Sequence, residues 1–186
     1  MPKLLETIKC LDGKIFHLSY HQKRLDNSRK KLGFTDILKL QLTPPKQGLF
    51  RCRVIYEKTI EDIEYIPYTI KDIKCFKLVH SDIVYDLKLE NREELNALRF
   101  EDADEIIIIK NELITDTSIA NICFFDGKLW LTPSKPLLKG TTRQRLLEEH
   151  KIVEADISCK EIHKFSKIAL MNAMIGFHII ENAIIS

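Results

Sequence analysis

The sequence lacks the features that mark membrane-spanning, secreted and nucleic-acid-binding proteins. Its longest uncharged apolar stretch, residues 171–180, is too short to cross a bilayer, and no apolar signal core follows Met1. The 29 basic and 27 acidic residues leave a formal net charge of +2, which gives no electrostatic reason to expect nucleic acid or a membrane surface as a partner. We therefore expect a globular protein that binds neither.

The patterns of cysteine and histidine give no indication of a metal centre. The five cysteines are an odd number without C-x-x-C spacing, and the six histidines do not pair at the spacing of metal ligands. Reduced thiols in the cytoplasm are the simplest interpretation, and no metal site is expected. Patterns of the G-x-S-x-G, P-loop and G-x-G-x-x-G types are also missing, which removes the commonest hydrolase and nucleotide-binding signatures.

Strand and helix patterns alternate along the chain, which predicts an α+β or mixed α/β fold. Strands are predicted at residues 4–11, 14–18, 50–56, 63–70, 75–80, 106–109, 122–125, 128–131, 151–158 and 176–185. Helices are predicted at residues 20–32, 91–100, 142–150 and 162–174. Turns are expected at Asp12-Gly13, Asn111-Glu112 and Asp126-Gly127, with Ser19 capping the first helix and Gly33 ending it. In the third helix, Arg143, Arg145, Glu148 and Glu149 are expected to be exposed.

The most informative stretch runs from Asp104 to Arg143. A buried strand is followed by an acid, Asp116, and an amide, Asn121, and the stretch ends in Gly140-Thr141-Thr142-Arg143 at the start of a helix. An acid in a strand-rich core can pair with a cationic group, and backbone N–H groups at a helix start bind phosphate. Together they are the parts of a cofactor site.

The order and spacing of these motifs resemble the class IV aminotransferase family, the fold-type IV enzymes that use pyridoxal 5'-phosphate (PLP). The matching motifs are Asp104-Glu105, Leu113-Ile114-Thr115-Asp116, Asn121-Ile122, Thr132-Pro133 and Gly140-Thr141-Thr142-Arg143. The resemblance implies the D-amino acid aminotransferase-like fold, with an abbreviated N-terminal α/β domain in residues 1–85 and a larger, β-rich, PLP-binding domain in residues 86–186. It also implies a homodimer and a small-molecule substrate with a primary amine.

Two residues would carry the chemistry. A PLP enzyme needs a lysine that binds the cofactor aldehyde covalently and later moves a proton. The resemblance assigns this catalytic role to Lys88, whose K-x-x-N-R context is similar to the lyase branch; a solvated surface lysine is the alternative, and Lys110 is the rival. Asp116 would keep the ring nitrogen of PLP protonated, where the family normally has Glu. Otherwise Asp116 caps a turn.

The remaining cofactor-binding residues would hold the phosphate. Arg24, in His21-Gln22-Lys23-Arg24-Leu25, matches an H-x-x-R-L helix that gives an arginine to the phosphate; its alternative is an exposed helix charge. Gly140, Thr141 and Thr142 would bind the phosphate through backbone amides, or else only cap a helix. Asn172 and Ala173 resemble an N-A motif of aminodeoxychorismate lyases, and the position of Ala173 lies near the phosphate in that family.

Three functions remain open at this point. The first is 4-amino-4-deoxychorismate lyase, which gives 4-aminobenzoate and pyruvate in folate synthesis. The second is transamination of branched-chain or D-amino acids. The third is a non-catalytic PLP-binding or interaction protein, because the family's segment before Glu6 is missing and the part between Arg24 and Lys88 is shortened. Need for a 2-oxo acid acceptor distinguishes the two enzymes.

Overall fold

The computed structural model describes residues 1–186 and divides into two compact units. The first unit comprises Met1–Ile70 and Leu87–Asn91, and the second comprises Lys71–Asp86 and Arg92–Ser186. Thirteen strands in three sheets, three α-helices and one 3₁₀ helix make up the chain, which confirms the α+β prediction. None of the helices combines the length and the apolar character that crossing a membrane requires.

An antiparallel four-stranded sheet in the order β2-β1-β3-β4 forms the body of the first unit. The elements are β1 (Leu4–Leu11), β2 (Lys14–Ile15), α1 (Leu18–Lys31), β3 (Leu49–Tyr56) and β4 (Ile60–Pro67). Helix α1 contributes Leu25 to a core that Leu4 and Ile8 of β1 share. Asp12 and Gly13 have φ of 48° and 76°, so the predicted hairpin turn is confirmed.

Helix α1 begins earlier than its sequence pattern predicts. The capping position is His17, with φ 53°, so Ser19 lies inside the helix and its predicted capping role is wrong. The other end is as predicted: Gly33 has φ 87°, its N–H donates to Lys30 O at 3.1 Å, and the N–H of Phe34 donates to Arg29 O at 3.0 Å. Only a residue tolerant of positive φ closes a helix in this way at little cost.

The second unit stacks two sheets and a helix. Its elements are β5 (Cys75–His80), α2 (Glu93–Asn96), β6 (Glu105–Lys110), β7 (Leu113–Thr117), β8 (Asn121–Phe125), β9 (Trp130–Pro133), α3 (Thr141–Glu148), β10 (Val153–Ala155), a 3₁₀ helix (Cys159–Lys164), β11 (Lys167–Asn172), β12 (Gly176–Ile180) and β13 (Ile184–Ile185). One sheet has the order β13-β5-β6-β7, and the other has the order β10-β9-β8-β11-β12. An apolar layer that includes Ile107, Ile122 and Leu170 joins the sheets, and a second layer that includes Leu146 and Met171 joins the five-stranded sheet to α3.

The helix predicted for residues 162–174 is wrong. A 3₁₀ helix over Cys159–Lys164 precedes a strand, β11, which pairs with β8 on one side and β12 on the other. Ile168 and Leu170 face the layer between the sheets, while Ala169 and Met171 face α3. A strand buried on both faces is apolar throughout, so its residues do not alternate with polar ones as a half-buried strand's would.

Other expectations differ mainly in length. Only Glu93–Asn96 is helical in the predicted helix at residues 91–100, and β10 covers only Val153–Ala155 of the strand predicted at residues 151–158. The buried strand at residues 106–109 is confirmed, since all four isoleucines are at most 1% exposed. Asn111 and Glu112, with φ of 52° and 62°, form the expected turn into β7.

Candidate functional site

A tight turn places Asp116 and Asn121 side by side. β7 belongs to the four-stranded sheet and β8 to the five-stranded sheet, so the chain passes from one sheet to the other within residues 118–120. Thr117 closes the turn: its N–H and its hydroxyl each donate to Ala120 O at 3.0 Å. The acid at the end of β7 and the amide at the start of β8 therefore meet.

Two charged side chains hold this turn in place. The buried Glu105 accepts the N–H of Ser118 through Oε1 at 3.1 Å, and Arg92 donates from Nη2 to the carbonyl oxygen of Ser118 at 2.5 Å. Neither residue was assigned this role from the sequence. Glu105 was visible only as part of a motif, because a contact across 13 residues has no local signature.

Asp116 is a buried carboxyl group with two hydrogen-bond donors. Its side chain is 4% exposed; Oδ1 accepts from Asn121 Nδ2 at 2.6 Å, and Oδ2 accepts from the N–H of Leu138 at 2.9 Å. Burial raises the pKa of Asp116 to about 7, although the hydrogen bonds from Leu138 and Asn121 and the charge of Arg143 lower it. Because burial disfavours the ionised form of this carboxyl group, a cationic partner would stabilise that form strongly.

The start of α3 lies against the same amide. Gly140 is the capping residue, with φ −69°, and no side chain caps the N–H groups of the first turn. A Cβ on Gly140 would lie 1.9 Å from Asn121 Oδ1, so only glycine fits while Asn121 keeps its position. Thr141 and Thr142 are both buried in the first turn. N–H groups at a helix start without a side-chain cap are suited to an anion.

Asn172 organises the turn between β11 and β12. Its Oδ1 accepts the N–H groups of Met174 at 2.9 Å and Ile175 at 3.1 Å, so Ala173 lies within a turn that this side chain stabilises. Nδ2 of Asn172 also donates to Ile119 O at 3.3 Å. The Asn172 turn is thus tied to the turn at residues 118–120, which lies between Asp116 and Asn121. Asn172 and Ala173 remain predicted cofactor-binding residues.

Lys88 lies in Leu87–Asn91, a segment of the first unit that runs beside β1. Leu5 N–H donates to Lys88 O at 2.8 Å, and Leu4 forms a bridge with Leu89. Leu87 and Leu89 both pack against the core of this unit. The N–H of Leu89 also donates to Leu87 O at 3.0 Å, so Lys88 is the central residue of a three-residue turn.

Arg24 belongs to a buried ionic cluster, which we call the Glu6 cluster. Arg24 donates from Nε to Glu6 Oε1 at 2.7 Å and from Nη2 to Oε2 at 2.6 Å, and His21 Nδ1 lies 2.6 Å from Oε2. Burial alone would raise the pKa of Glu6, but the charge of Arg24 and the hydrogen bonds from His21 and Arg24 outweigh it and hold the pKa at about 2. The cluster explains why His21 and Arg24 are three residues apart on one face of α1.

Two of the exposed side chains expected on α3 are not exposed: Arg143 is buried, and the side chain of Arg145 is only 17% exposed. Arg143 is 3% exposed, whereas its position in a charged helix predicted a solvated side chain. The face of α3 that carries Arg143 and Leu146 is buried, and Arg143 Nη2 donates to Pro133 O at 2.8 Å and to Glu154 Oε1 at 2.5 Å.

The rival lysine, Lys110, donates from Nζ to Asp82 O at 3.0 Å and Ile83 O at 3.2 Å.

The second unit therefore brings together Asp116, Asn121 and the Gly140 start of α3, while Arg24 and Lys88 belong to the first unit. A buried acid and an uncapped helix start match the two ends of PLP, a ring nitrogen and a phosphate. The residues present thus fit this cofactor. No group of histidine, cysteine, aspartate or glutamate is arranged to hold a metal ion.

Comparison with known proteins agrees with this description. The family model of amino-transferase class IV matches residues 80–183. A Haemophilus influenzae protein without an assigned function is 38% identical, over 95% of this chain and 100% of its own length. The solved structure of a Haemophilus somnus protein, provisionally assigned as a 4-amino-4-deoxychorismate lyase, is 36% identical with a TM-score of 0.85, over 95% of this chain and 98% of that one.

A more distant structure shows the same fold. The PLP-bound form of a hypothetical aminotransferase from Mycobacterium tuberculosis has a TM-score of 0.79 and 14% identity, over 100% of this chain and 81% of that one. Family model and relatives together show that the chain belongs to the class IV aminotransferase family. It is accordingly an enzyme of this PLP-dependent class.

Proposed function

We propose that this protein cleaves 4-amino-4-deoxychorismate into 4-aminobenzoate and pyruvate, with PLP as cofactor. The observation that carries the cofactor is the buried carboxyl of Asp116, joined through Asn121 to the helix start at Gly140. The choice of reaction is supported by the relative of 36% identity that is provisionally assigned to it. The product would enter folate synthesis.

Each predicted site residue has a distinct task in this proposal. Lys88 binds the aldehyde of PLP covalently. Asp116 keeps the proton on the ring nitrogen, because a carboxylate opposite a pyridinium stabilises its charge. When bound, PLP supplies an electron sink that stabilises the negative charge formed during proton removal.

The phosphate of PLP has its own set of residues. Backbone N–H groups of Thr141 and Thr142, after the turn at Gly140, face the anion at the start of α3. Arg24 adds a positive charge, and its orientation is fixed by Glu6. Asn172 and Ala173 bind the cofactor through the turn between β11 and β12.

The reaction needs one base from the chain. Lys88, once its amine is free, would act as the base that removes a proton from the ring of the substrate. The electrons of the broken C–H bond form a new double bond in the ring of the substrate. The C–O bond to enolpyruvate breaks, and enolpyruvate leaves with its electron pair. Enolpyruvate takes up a proton to give pyruvate, and the ring becomes aromatic. Release of 4-aminobenzoate returns Lys88 to its original state.

Transamination of branched-chain or D-amino acids is the second candidate. It is supported by the family to which the chain belongs and by the fold shared with the M. tuberculosis aminotransferase. In that reaction Lys88 would move a proton between the substrate and the cofactor, and a 2-oxo acid would be required as acceptor of the amino group.

The test compares wild-type protein with the Lys88→Ala and Lys110→Ala variants. Purified protein is given 4-amino-4-deoxychorismate without any 2-oxo acid, and 4-aminobenzoate and pyruvate are measured in parallel. We expect equal amounts of both products from the wild type and from Lys110→Ala, and none from Lys88→Ala. Borohydride reduction followed by peptide mapping should find the cofactor on Lys88.

Other outcomes would decide between the alternatives. Turnover of amino acids that depends on an added 2-oxo acid, without lyase activity, would identify an aminotransferase. PLP bound at Lys88 without turnover of either kind would identify a non-catalytic PLP-binding protein. A Lys88→Ala variant that keeps the visible band of lysine-bound PLP would remove Lys88 from the proposal.

Two further properties belong to the same proposal. We propose a homodimer, in line with the family, and light scattering at micromolar concentration tests it; a monomer would contradict it. We also propose a cytoplasmic location, which agrees with five free cysteines, three of them buried.

A further inference from the structure

Asn121 makes hydrogen bonds that exceed what a turn residue needs. It is 5% exposed at the start of β8, and its amide has two N–H groups. One donates to Asp116 Oδ1 at 2.6 Å and the other to Leu138 O at 2.8 Å. Both N–H groups of the side chain are therefore hydrogen-bonded, and both acceptors belong to segments that carry predicted site residues.

Leu138 completes a closed ring of hydrogen bonds. Its N–H donates to Asp116 Oδ2 at 2.9 Å, while its carbonyl oxygen accepts from Asn121. The carboxyl of Asp116 is thereby held at both oxygens, once by the amide and once by the backbone. Leu138, two residues before Gly140, therefore cannot shift without breaking a hydrogen bond to Asp116 or to Asn121.

Gly140 extends the contact to the start of α3. A Cβ there would meet three atoms of Asn121, at 1.9, 3.1 and 3.8 Å, and these are its three nearest obstacles. The backbone at Gly140 has φ −69°, which any residue can adopt. Asn121, and not the backbone conformation, is therefore what requires glycine at this position.

We propose that Asn121 is a positioning residue that fixes Asp116 relative to the Gly140 start of α3, so that the ring nitrogen and the phosphate of PLP are bound as one unit. This inference rests on the proposed PLP-dependent function and adds a residue to it. Asn121 touches neither the reacting bond nor the proton that moves. It acts through the two groups that bind the ends of the cofactor.

The first experiment measures the affinity for PLP and for pyridoxal, which lacks the phosphate. If Asn121 aligns both ends, Asn121→Ala should lower PLP affinity by about tenfold or more, the scale of losing a hydrogen bond to a buried charged group. The preference for PLP over pyridoxal should fall as well. Thr115→Val is the matched control, because Thr115 donates to Ile108 O at 2.8 Å from the same strand as Asp116. It should lower the melting temperature and leave the preference unchanged.

The second experiment is a double-mutant cycle in the ligand-free protein. Gly140→Ala should lower the melting temperature, since the new Cβ displaces Asn121. In the Asn121→Ala background the same change should have no further effect, because the obstructing atoms are gone. PLP affinity should follow the same pattern, with the double variant no weaker than Asn121→Ala alone.

The outcomes separate this inference from the proposed function. If the wild-type protein binds PLP and Asn121→Ala keeps the same preference for PLP over pyridoxal, only the role of Asn121 is overturned. A Gly140→Ala effect of equal size in both backgrounds overturns it too. Failure of the wild-type protein to bind PLP overturns the proposed function, and this inference with it.

Discussion

Arg24 binds both carboxylate oxygens of Glu6, with Nε 2.7 Å from Oε1 and Nη2 2.6 Å from Oε2, although the two residues are 18 apart in the sequence. Glu6 is fully buried on β1, and Arg24 is 14% exposed on α1. A two-point contact fixes the plane of the guanidinium group. The residue predicted to bind the PLP phosphate is therefore held in place by an acid that never meets the cofactor in this proposal.

Replacing Glu6 by Gln should destabilise the protein and weaken its hold on PLP. The change removes the charge that pairs with Arg24 in a buried site, a loss on the order of 3–5 kcal/mol. Urea unfolding of the ligand-free protein measures it. Glu61→Gln is the control, because its pair with Lys3 is largely exposed and should contribute little. Equal losses in both variants would contradict a structural role for the Glu6 cluster.

Replacing Arg24 by Ala should lower PLP affinity by about tenfold or more, since a charge-assisted, two-point contact to phosphate is lost. Turnover should be preserved once PLP is saturating, because Arg24 does not touch the reacting atoms. Arg24→Lys should recover only part of the affinity, as lysine keeps the charge without the planar fork. Loss of turnover at saturating PLP would show that Arg24 does more than bind the cofactor.

Local features of the fold could be predicted from the sequence because their causes are local. Gly33 ends α1 through its positive φ, and Asp12-Gly13 forms a two-residue turn, both from residue type alone. The buried strand at residues 106–109 could be recognised by four consecutive isoleucines. In each case the residue type fixes the backbone conformation without help from distant parts of the chain.

Features that depend on distant partners could not be predicted. β11 was assigned to a helix because burial on both faces removes the alternation by which a strand is recognised. Arg143 was expected in solvent because its burial depends on Pro133 and Glu154. For the site, the motifs pointed to Asp116 and Gly140, but the hydrogen bonds through Asn121 and Leu138 became visible only in the structure.

Replacing Asp116 by Asn should leave PLP bound and reduce turnover by roughly 100-fold or more, the scale of removing one preorganised electrostatic partner. The amide cannot keep the ring nitrogen protonated, and its own NH₂ would face one of the two donors that now bind the carboxyl. Asp126→Asn, in an exposed turn, is the control. Steady-state rates at saturating PLP provide the measurement. Turnover at the wild-type rate would show that Asp116 is not the partner of the ring nitrogen.

The stability of the ligand-free protein should fall as pH rises towards neutrality. Burial raises the pKa of Asp116 to about 7 from an ordinary value of 3.8, despite the hydrogen bonds from Leu138 and Asn121. Between these values the folded protein retains a proton that the unfolded chain releases, so the free energy of unfolding decreases with pH. The decrease should be on the order of 4 kcal/mol and should end above about pH 7.

Glu6 should produce the opposite dependence at lower pH, and this separates the two groups. Its pKa is held at about 2, below the ordinary 4.5, so its stabilisation is present above about pH 4.5 and is lost as pH falls towards 2. Urea unfolding across this range should therefore show maximal stability near pH 4–5. Asp116→Asn should remove the decrease towards neutral pH only, and Glu6→Gln the decrease towards acid only. Bound PLP should also flatten the neutral limb, because a protonated ring nitrogen beside Asp116 lowers the pKa of that carboxyl. A neutral limb that persists in Asp116→Asn would assign it to another group.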